Sequence, residues 1–401
     1  MKSYVLRVVL NALNICAMIA ILAVGLSAQT EQIIYSFGPG DGTPYPDLAT
    51  DGKGNLFGTS EGGSSSQGIV YELTPGSNGM LSEHVIYSFT GFNNTGDGAV
   101  PVGRVTFDNN GNLYGTTYAG GAYQQGSVYE LTPGSNGTWT EKVLHSFAGN
   151  PDGNGLSLSE GVIVDPSGNV YGTTGGGGAY GQGIVFQLVP GANGTWTENI
   201  LHSFTGGNDG GFPIGRLIRD SAGHLFGSAF GGPHDYGLLF ELSQGTNGVW
   251  SERIIYAFTG GAGGTAPEAK LTFGPAGNLY AAIGFAVVEF APVNGVWTFK
   301  NIHEFIGGTD GAGAQSGLVF DKAGNLYGTT AEGGLHRGTV YELSPNSDGT
   351  WSEKILHKFT GGNDGMGPAF GTLVLDAAGN LYGATGQGGA SLAGVVFKIK
   401  P

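Results

Sequence analysis

Apolar and polar positions along the chain fall into short runs, cut at brief intervals by Gly, Asn, Asp and Pro. Residues Val102 to Asp108 are mostly apolar and end in a carboxylate. The turn Asn109-Asn110-Gly111 leads into Asn112-Leu113-Tyr114-Gly115-Thr116-Thr117. A glycine-rich loop then leads to Ser127-Val128-Tyr129-Glu130-Leu131, and the turn Pro133 to Gly137 leads to a run from Trp139 to Phe147. Runs of β-branched and aromatic residues bounded by turn formers predict strands, because such side chains fit a pleated surface and Gly, Asn and Asp accept the backbone angles of tight turns. No helical periodicity follows residue 30.

The pattern repeats. Gly-Asn-Leu-Tyr-Gly-Thr-Thr occurs at Gly111–Thr117 and Gly324–Thr330, and variants start at Gly54, Gly168, Gly223, Gly277 and Gly379. These seven copies lie 47 to 57 residues apart, each within the same order of four runs. Four antiparallel strands recurring at about 50 residues are the mark of a propeller blade. The strands of a unit are called a to d from centre to rim. The last unit ends on strand c, Val395 to Ile399, and lacks a strand d. An orphan d-type strand, Ile33-Ile34-Tyr35-Ser36-Phe37, stands near the start and matches Val85–Phe89, Val143–Phe147 and Ile200–Phe204. The expectation is an all-β, seven-bladed β-propeller with four antiparallel strands per blade. The N-terminal strand should complete the last blade, which removes the free edges of an open array.

The motif Gly-Asn-Leu-Tyr-Gly-Thr-Thr, the Gly-Gly loop, Val-Tyr-Glu-Leu and the Trp-containing turn resemble the GloVer tandem repeat of bacterial exported, choice-of-anchor proteins. The resemblance spans residues 31–400 and implies a bacterial surface or periplasmic protein, with no activity attached. The sequence departs from that habit by ending at Lys400-Pro401 without an anchor tail, which makes periplasmic or secreted the expectation. The a–b hairpin also resembles that of NHL-type propellers, at the level of the fold.

Composition refines this picture. Lys2 and Arg7, the apolar run Val8 to Leu26 and small residues Ser27 and Ala28 have the order of a secretory signal peptide. The alternative is an uncleaved N-terminal anchor. Residues 1–28 are thus expected to be a signal peptide and 29–401 a single propeller domain, with no membrane span after its removal. The one cysteine, Cys16, lies in the leader, so the remainder has no disulfide. A formal net charge of −15 argues against nucleic acid as a partner. Glycine is 79 of 401 residues, which suits many tight turns.

In a propeller the d–a and b–c loops share one face, and the a–b and c–d turns share the other. The d–a and b–c loops vary among units, so function is expected on their face. Six d–a loops carry Asp-Gly pairs, at Asp41, Asp97, Asp152, Asp209, Asp310 and Asp364, which are candidate calcium ligands or else Asx-turn residues. The fifth unit has Gly260-Gly261-Ala262-Gly263-Gly264 there and a collapsed b–c loop.

Four residues before the end of strand a, the units carry Asp47, Arg104, Gly161, Arg216, Lys270, Gly317 and Thr372. Innermost strands line the channel, so Arg104, Arg216 and Lys270 are candidate anchors for a carboxylate or sulfate, with Asp47 and Glu160 beside them. An internally neutralised ion-pair set is the alternative. Tyr123, Tyr180 and Tyr236 in the b–c loops could stack on sugar rings. His145, His202, His303 and His357 share a strand-d slot with Tyr35, Tyr87 and Tyr256, which marks a packing position. His234 and His336 are the remaining candidate general bases. No nucleophile elbow, metal-ligand spacing or cofactor motif is present, and no cofactor is expected. The expected function is that of a monomeric exported scaffold binding a glycan, peptide, protein or small anion. An NHL-like lyase or lactonase with its site at the channel mouth is the alternative.

Overall fold

The computed structural model describes residues 31–63, 67–93, 96–153, 160–261, 265, 270–368 and 371–401. The expected signal peptide lies outside them. Among them the chain forms seven antiparallel four-stranded sheets, numbered here as blades 1 to 7 in chain order. Blade 2 illustrates the unit: strands a Gly98–Phe107, b Leu113–Gly120, c Ser127–Pro133 and d Trp139–Ser146. Blade 7 takes strands a to c from Val374–Leu375, Leu381–Thr385 and Val395–Ile399, and strand d from Glu31–Ser36. Gln32 pairs with Lys398 and Ile33 with Phe397, so the expected closure is observed.

The repeat motif has a physical reason at each position. Its first Asp, Asp108 in blade 2, accepts bonds from the backbone N–H of Asn110 and Asn112 at 2.8 and 2.9 Å and from the Asn112 amide at 2.9 Å. This Asx-type turn folds strand b back on strand a. The glycine in strand b is a socket. Gly115 pairs with Tyr129 of strand c, and a Cβ on Gly115 would lie 2.3 Å from the Tyr129 hydroxyl oxygen. Gly58–Tyr71, Gly172–Phe186, Gly227–Phe240, Gly328–Tyr341 and Gly383–Phe397 repeat the arrangement. Blade 5 supports the rule, since Ala281 there faces the smaller Val288. Each buried strand-c ring then meets the Phe that follows the preceding strand d, edge to face in Phe37 with Tyr71 at 5.5 Å and Phe89 with Tyr129 at 5.0 Å, and tilted in Phe305 with Tyr341 at 5.0 Å. Buried aromatic pairs of this kind hold neighbouring blades together.

A second, polar joint lies beside each aromatic one. In blade 2 the His145 ring packs on Phe147 and its Nε2 lies 3.1 Å from the Asp152 carboxylate, which also accepts the Ala148 N–H. Glu198 of the next strand d stands 3.9 Å from the same Nε2. The equivalent sets are Tyr35–Asp41–Glu83, Tyr87–Asp97–Glu141, His202–Asp209–Glu252, His303–Asp310–Glu353 and His357–Asp364–Glu31. Burial, then the neighbouring Asp charge, pushes Glu31, Glu83, Glu141 and Glu252 up to about 7. Burial, a hydrogen bond to Asp and its charge push Glu353 to about 8 and Glu198 to about 9. Between blades 4 and 5 the joint is different: Tyr256 stacks on Phe299 with centroids 5.0 Å apart and planes at 14°.

Candidate functional site

Six of the seven equivalent positions of strand a, Asp47, Arg104, Arg216, Lys270, Gly317 and Thr372, line one cavity of 670 Å³, and in blade 3 Glu160 lines it in place of its neighbour Gly161. The backbone geometry that brings them there depends on two glycines. Gly161, at φ +81, bridges to Arg104, and a Cβ on it would meet the Arg104 carbonyl oxygen at 2.2 Å. A Cβ on Gly317 would meet Thr372 Oγ1 at 2.0 Å.

Charge in this ring is partly neutralised. Lys270 Nζ donates to Asp47 Oδ2 at 2.6 Å and to Glu160 Oε2 at 2.8 Å. Asp47 and Lys270 are only 5% and 8% exposed, and Asp47 Oδ1 also accepts the Thr372 N–H at 2.8 Å. Burial opposes both charges, yet Lys270 holds the Asp47 carboxyl below its ordinary value, while Asp47 and Glu160 raise Lys270. Burial, against Lys270 and with Asp47, pushes the Glu160 carboxyl up to about 7. The two guanidiniums are not paired in this way. Arg216 donates to Thr106 Oγ1 at 3.0 Å, and its buried Nε has no partner. Burial and the nearby Arg104 charge draw Arg216 down to about 10, and burial also lowers Arg104. Among the described residues neither guanidinium forms a salt bridge, so three cations face two carboxyls.

The ring divides the channel. The 670 Å³ cavity runs outward to Asp321, Lys322, Asp376 and Ala377 in the a–b turns. A second cavity of 370 Å³ reaches the opposite face past Tyr45, Ile214, Phe230 and Gln315, and shares Asp47, Glu160 and Lys270. The larger mouth therefore opens on the side of the short turns, where sequence reasoning expected no function, while the ring touches both sides. Tyr45 and Phe230 were missed because both lie outside the repeated motif.

The other candidates stay apart from the ring. Tyr123 and Tyr180 are each 61% exposed at b–c loop tips, and Tyr236, 47% exposed, rests over Gly260. His234 and His336 are exposed in the b–c loops of blades 4 and 6, and neither lines a mouth of the channel. The d–a carboxylates cap their own loops: Asp41 accepts the Gly38 N–H, Asp97 the Thr90 N–H, Asp209 the Thr205 N–H, Asp310 the Ile306 N–H and Asp364 the Thr360 N–H. His145–Asp152–Glu198 and His303–Asp310–Glu353 each bring three donor atoms within 4.8 Å of one another, a set able to hold a cation. Joints built on Tyr35 and Tyr87 keep the same arrangement without an imidazole, so its shared role is to join blades.

These features define a seven-bladed propeller with a cation-rich ring across its axial channel. The Gloeobacter/Verrucomicrobia repeat matches residues 43–287 and 284–401. The chain belongs to that family, the GloVer repeat its motifs resemble. No curated protein matches the chain. Among solved structures, the extracellular domain of a hybrid two component system from B. thetaiotaomicron is similar with 14% identity and a TM-score of 0.56, over 92% of this chain and 41% of that one. YCF48 from Cyanidioschyzon merolae is similar with 12% identity and a TM-score of 0.52, over 92% and 99%. PorZ, a bacterial surface component of the type-IX secretion system of Porphyromonas gingivalis, is similar with 15% identity and a TM-score of 0.51, over 92% and 48%. This chain thus spans less than half of two of these three, and at such identities the likeness is one of fold. No helix among the described residues is long and apolar enough to cross a membrane.

Proposed function

We propose that this propeller is an exported, periplasmic or secreted binding protein that holds a small anion, or the anionic group of a glycan or peptide, in its axial channel. The observation that carries this reading is the pair Arg104 and Arg216. Both project into one cavity, neither has a carboxylate partner among the described residues, and the Arg216 Nε is buried without a hydrogen bond. A buried donor left unpaired costs on the order of 1–3 kcal/mol, a cost that an incoming carboxylate or sulfate removes. The Glu160 carboxyl, pushed up to about 7, makes the ring more positive as pH falls through that value. Extracellular and surface proteins among the similar folds are consistent with export.

The test is calorimetric titration of residues 29–401 with sulfate and with succinate, at pH 6 and pH 8. The wild-type protein should bind one of them, more tightly at pH 6. The Arg104→Ala plus Arg216→Ala variant, shown folded by circular dichroism, should lose that heat. Identical isotherms for the two proteins would overturn the reading.

A further inference from the structure

In a repeat protein the consensus residue is what the fold alone requires, so a departure that brings no packing gain points to another role. Five polar departures fall together at the seam of blades 3 and 4, on the a–b/c–d face. In strand c, Gln187 stands where five blades carry Glu72, Glu130, Glu241, Glu289 and Glu342 and blade 7 carries Lys398. Its cross-strand neighbour is Asn199, where Lys142, Arg253, Lys300 and Lys354 pair with those glutamates. Arg219 ends strand a where Phe107, Val164, Phe273, Phe320 and Leu375 are apolar. His224 replaces the turn Asn, and Gln244 replaces a proline found at Pro75, Pro133, Pro190, Pro292 and Pro345.

Four of the five line a cavity of 280 Å³, walled also by Trp250. A neighbouring cavity of 430 Å³ shares Gln187, Gln244 and Trp250 and adds Asn199. Neither lining contains a carboxylate. The acids nearest His224, Asp220 and Glu241, are engaged: Asp220 Oδ2 lies 2.9 Å from its Nδ1, and Glu241 takes the Arg253 guanidinium. Arg219 is the reverse. Its guanidinium has no hydrogen bond to any described residue, and its Nε is buried and unpartnered. A structural arginine would have been served by keeping the consensus Glu at position 187. The chain instead removes that charge and leaves an amide, held by Asn199 at 3.2 Å and bonded to the Tyr171 hydroxyl at 3.0 Å.

We infer that this seam is a binding groove for an acidic saccharide: Arg219 faces the carboxylate or sulfate, the Gln187, Asn199 and Gln244 amides face hydroxyls, and the Trp250 indole walls the sugar ring. Guanidinium recognises planar oxyanions through paired donors, amides match hydroxyls as both donor and acceptor, and indole packs on the apolar face of a pyranose. The groove is separate from the axial ring and does not depend on it.

The experiment is calorimetric titration of residues 29–401 with trigalacturonic acid, with maltotriose as the neutral counterpart and sulfate as the bare anion. Wild type should bind trigalacturonate, and maltotriose at least about tenfold more weakly. Arg219→Phe, the residue blades 2, 5 and 6 carry there, should weaken binding by about tenfold or more. The double change Gln187→Glu with Asn199→Lys restores the pair that other blades fold with, and should do the same. In the Arg104→Ala plus Arg216→Ala background, where the axial ring no longer competes for carboxylates, trigalacturonate should still bind and Arg219→Phe should still weaken it. No heat with trigalacturonate at millimolar concentration, equal affinity for maltotriose, or an unchanged isotherm in Arg219→Phe would each overturn the inference. Loss of binding in the channel variant alone would move the saccharide to the axis and refute the seam. Sulfate binding abolished by Arg219→Phe, without any saccharide binding, would likewise reduce the seam to an anion site and refute the saccharide.

Discussion

The seams on either side of blade 4 solve one problem in two ways. Between blades 3 and 4, His202, Asp209 and Glu252 meet in a polar joint, as their equivalents do at five other seams. Between blades 4 and 5, the Glu slot holds Phe299, the d–a loop has no Asp-Gly pair, and Tyr256 stacks flat on the phenyl ring. Asp and Glu have vanished together. Their joint loss marks the two carboxyls as a unit: the half-buried Glu sits beside an Asp whose charge raises it, and at Glu198 and Glu353 a hydrogen bond to that Asp adds to the effect. Without the Asp, an apolar contact is the stable substitute, as expected when a buried charged set is replaced as a whole.

The strongest way to break this comparison is to place a carboxyl where its partner is missing. Phe299→Glu should destabilise the protein by about 2 kcal/mol, through lost ring packing and an unpaired half-buried acid, read by urea denaturation. A change below about 0.5 kcal/mol would show that the joint is not a unit.

The next effect is the pH dependence of the six polar seams. Their glutamates are raised above the unfolded value, so the folded state binds more protons and their contribution is full below the unfolded carboxyl range. It is lost as pH rises through about 7 for Glu31, Glu83, Glu141 and Glu252, about 8 for Glu353 and about 9 for Glu198. Burial lowers His202, His303 and His357, whose contribution is present above about 6.5 and falls away below it. Melting temperature should therefore rise between pH 8.5 and pH 6.5, where the glutamates act alone, and Glu198→Gln should flatten the slope. A wild-type melting temperature that is higher at pH 8.5 would contradict this upward shift of the glutamates.

The smallest test compares two hydroxyls. Tyr35→Phe removes a 3.1 Å bond to Asp41 and should cost about 1 kcal/mol, whereas Tyr256→Phe should stay within about 0.5 kcal/mol because its ring, not its hydroxyl, makes the contact. Equal costs would erase the distinction between the two kinds of seam.

Much of the fold was legible because a repeat displays its constraints seven times. The orphan strand Ile33–Phe37 announced its partner by matching the missing strand d, and strand-a spacing placed Arg104, Arg216 and Lys270 on the axis. The joint glutamates were harder to read, since a half-buried Glu in strand d has the sequence appearance of a solvated face. Neither the division of the channel nor its mouth on the turn side could be inferred, because both depend on how side chains from several blades meet at the axis. Function was sought where loops vary, on the opposite face. The signal for the blade 3–4 groove was present all the same, in Gln187, Asn199, Arg219 and Gln244 as departures from residues that most other blades keep. They lie far apart in sequence, and only the packing of one blade on the next shows that they meet.

The pairing of Glu31–Ser36 with Val395–Ile399 also sets an order of events. Ile33 leaves the ribosome about 360 residues ahead of Phe397, so the first of these strands waits for the second before it has any pairing partner. Contacts of such sequence separation form slowly, because the intervening chain has to be gathered first. Six blades can be assembled from local hairpins while the seventh stands half-built, with Glu31–Ser36 lacking the strand it pairs with. The molecule is thus a clasp whose two halves are made far apart in time, and a nascent or threaded propeller stays open until its seventh blade arrives.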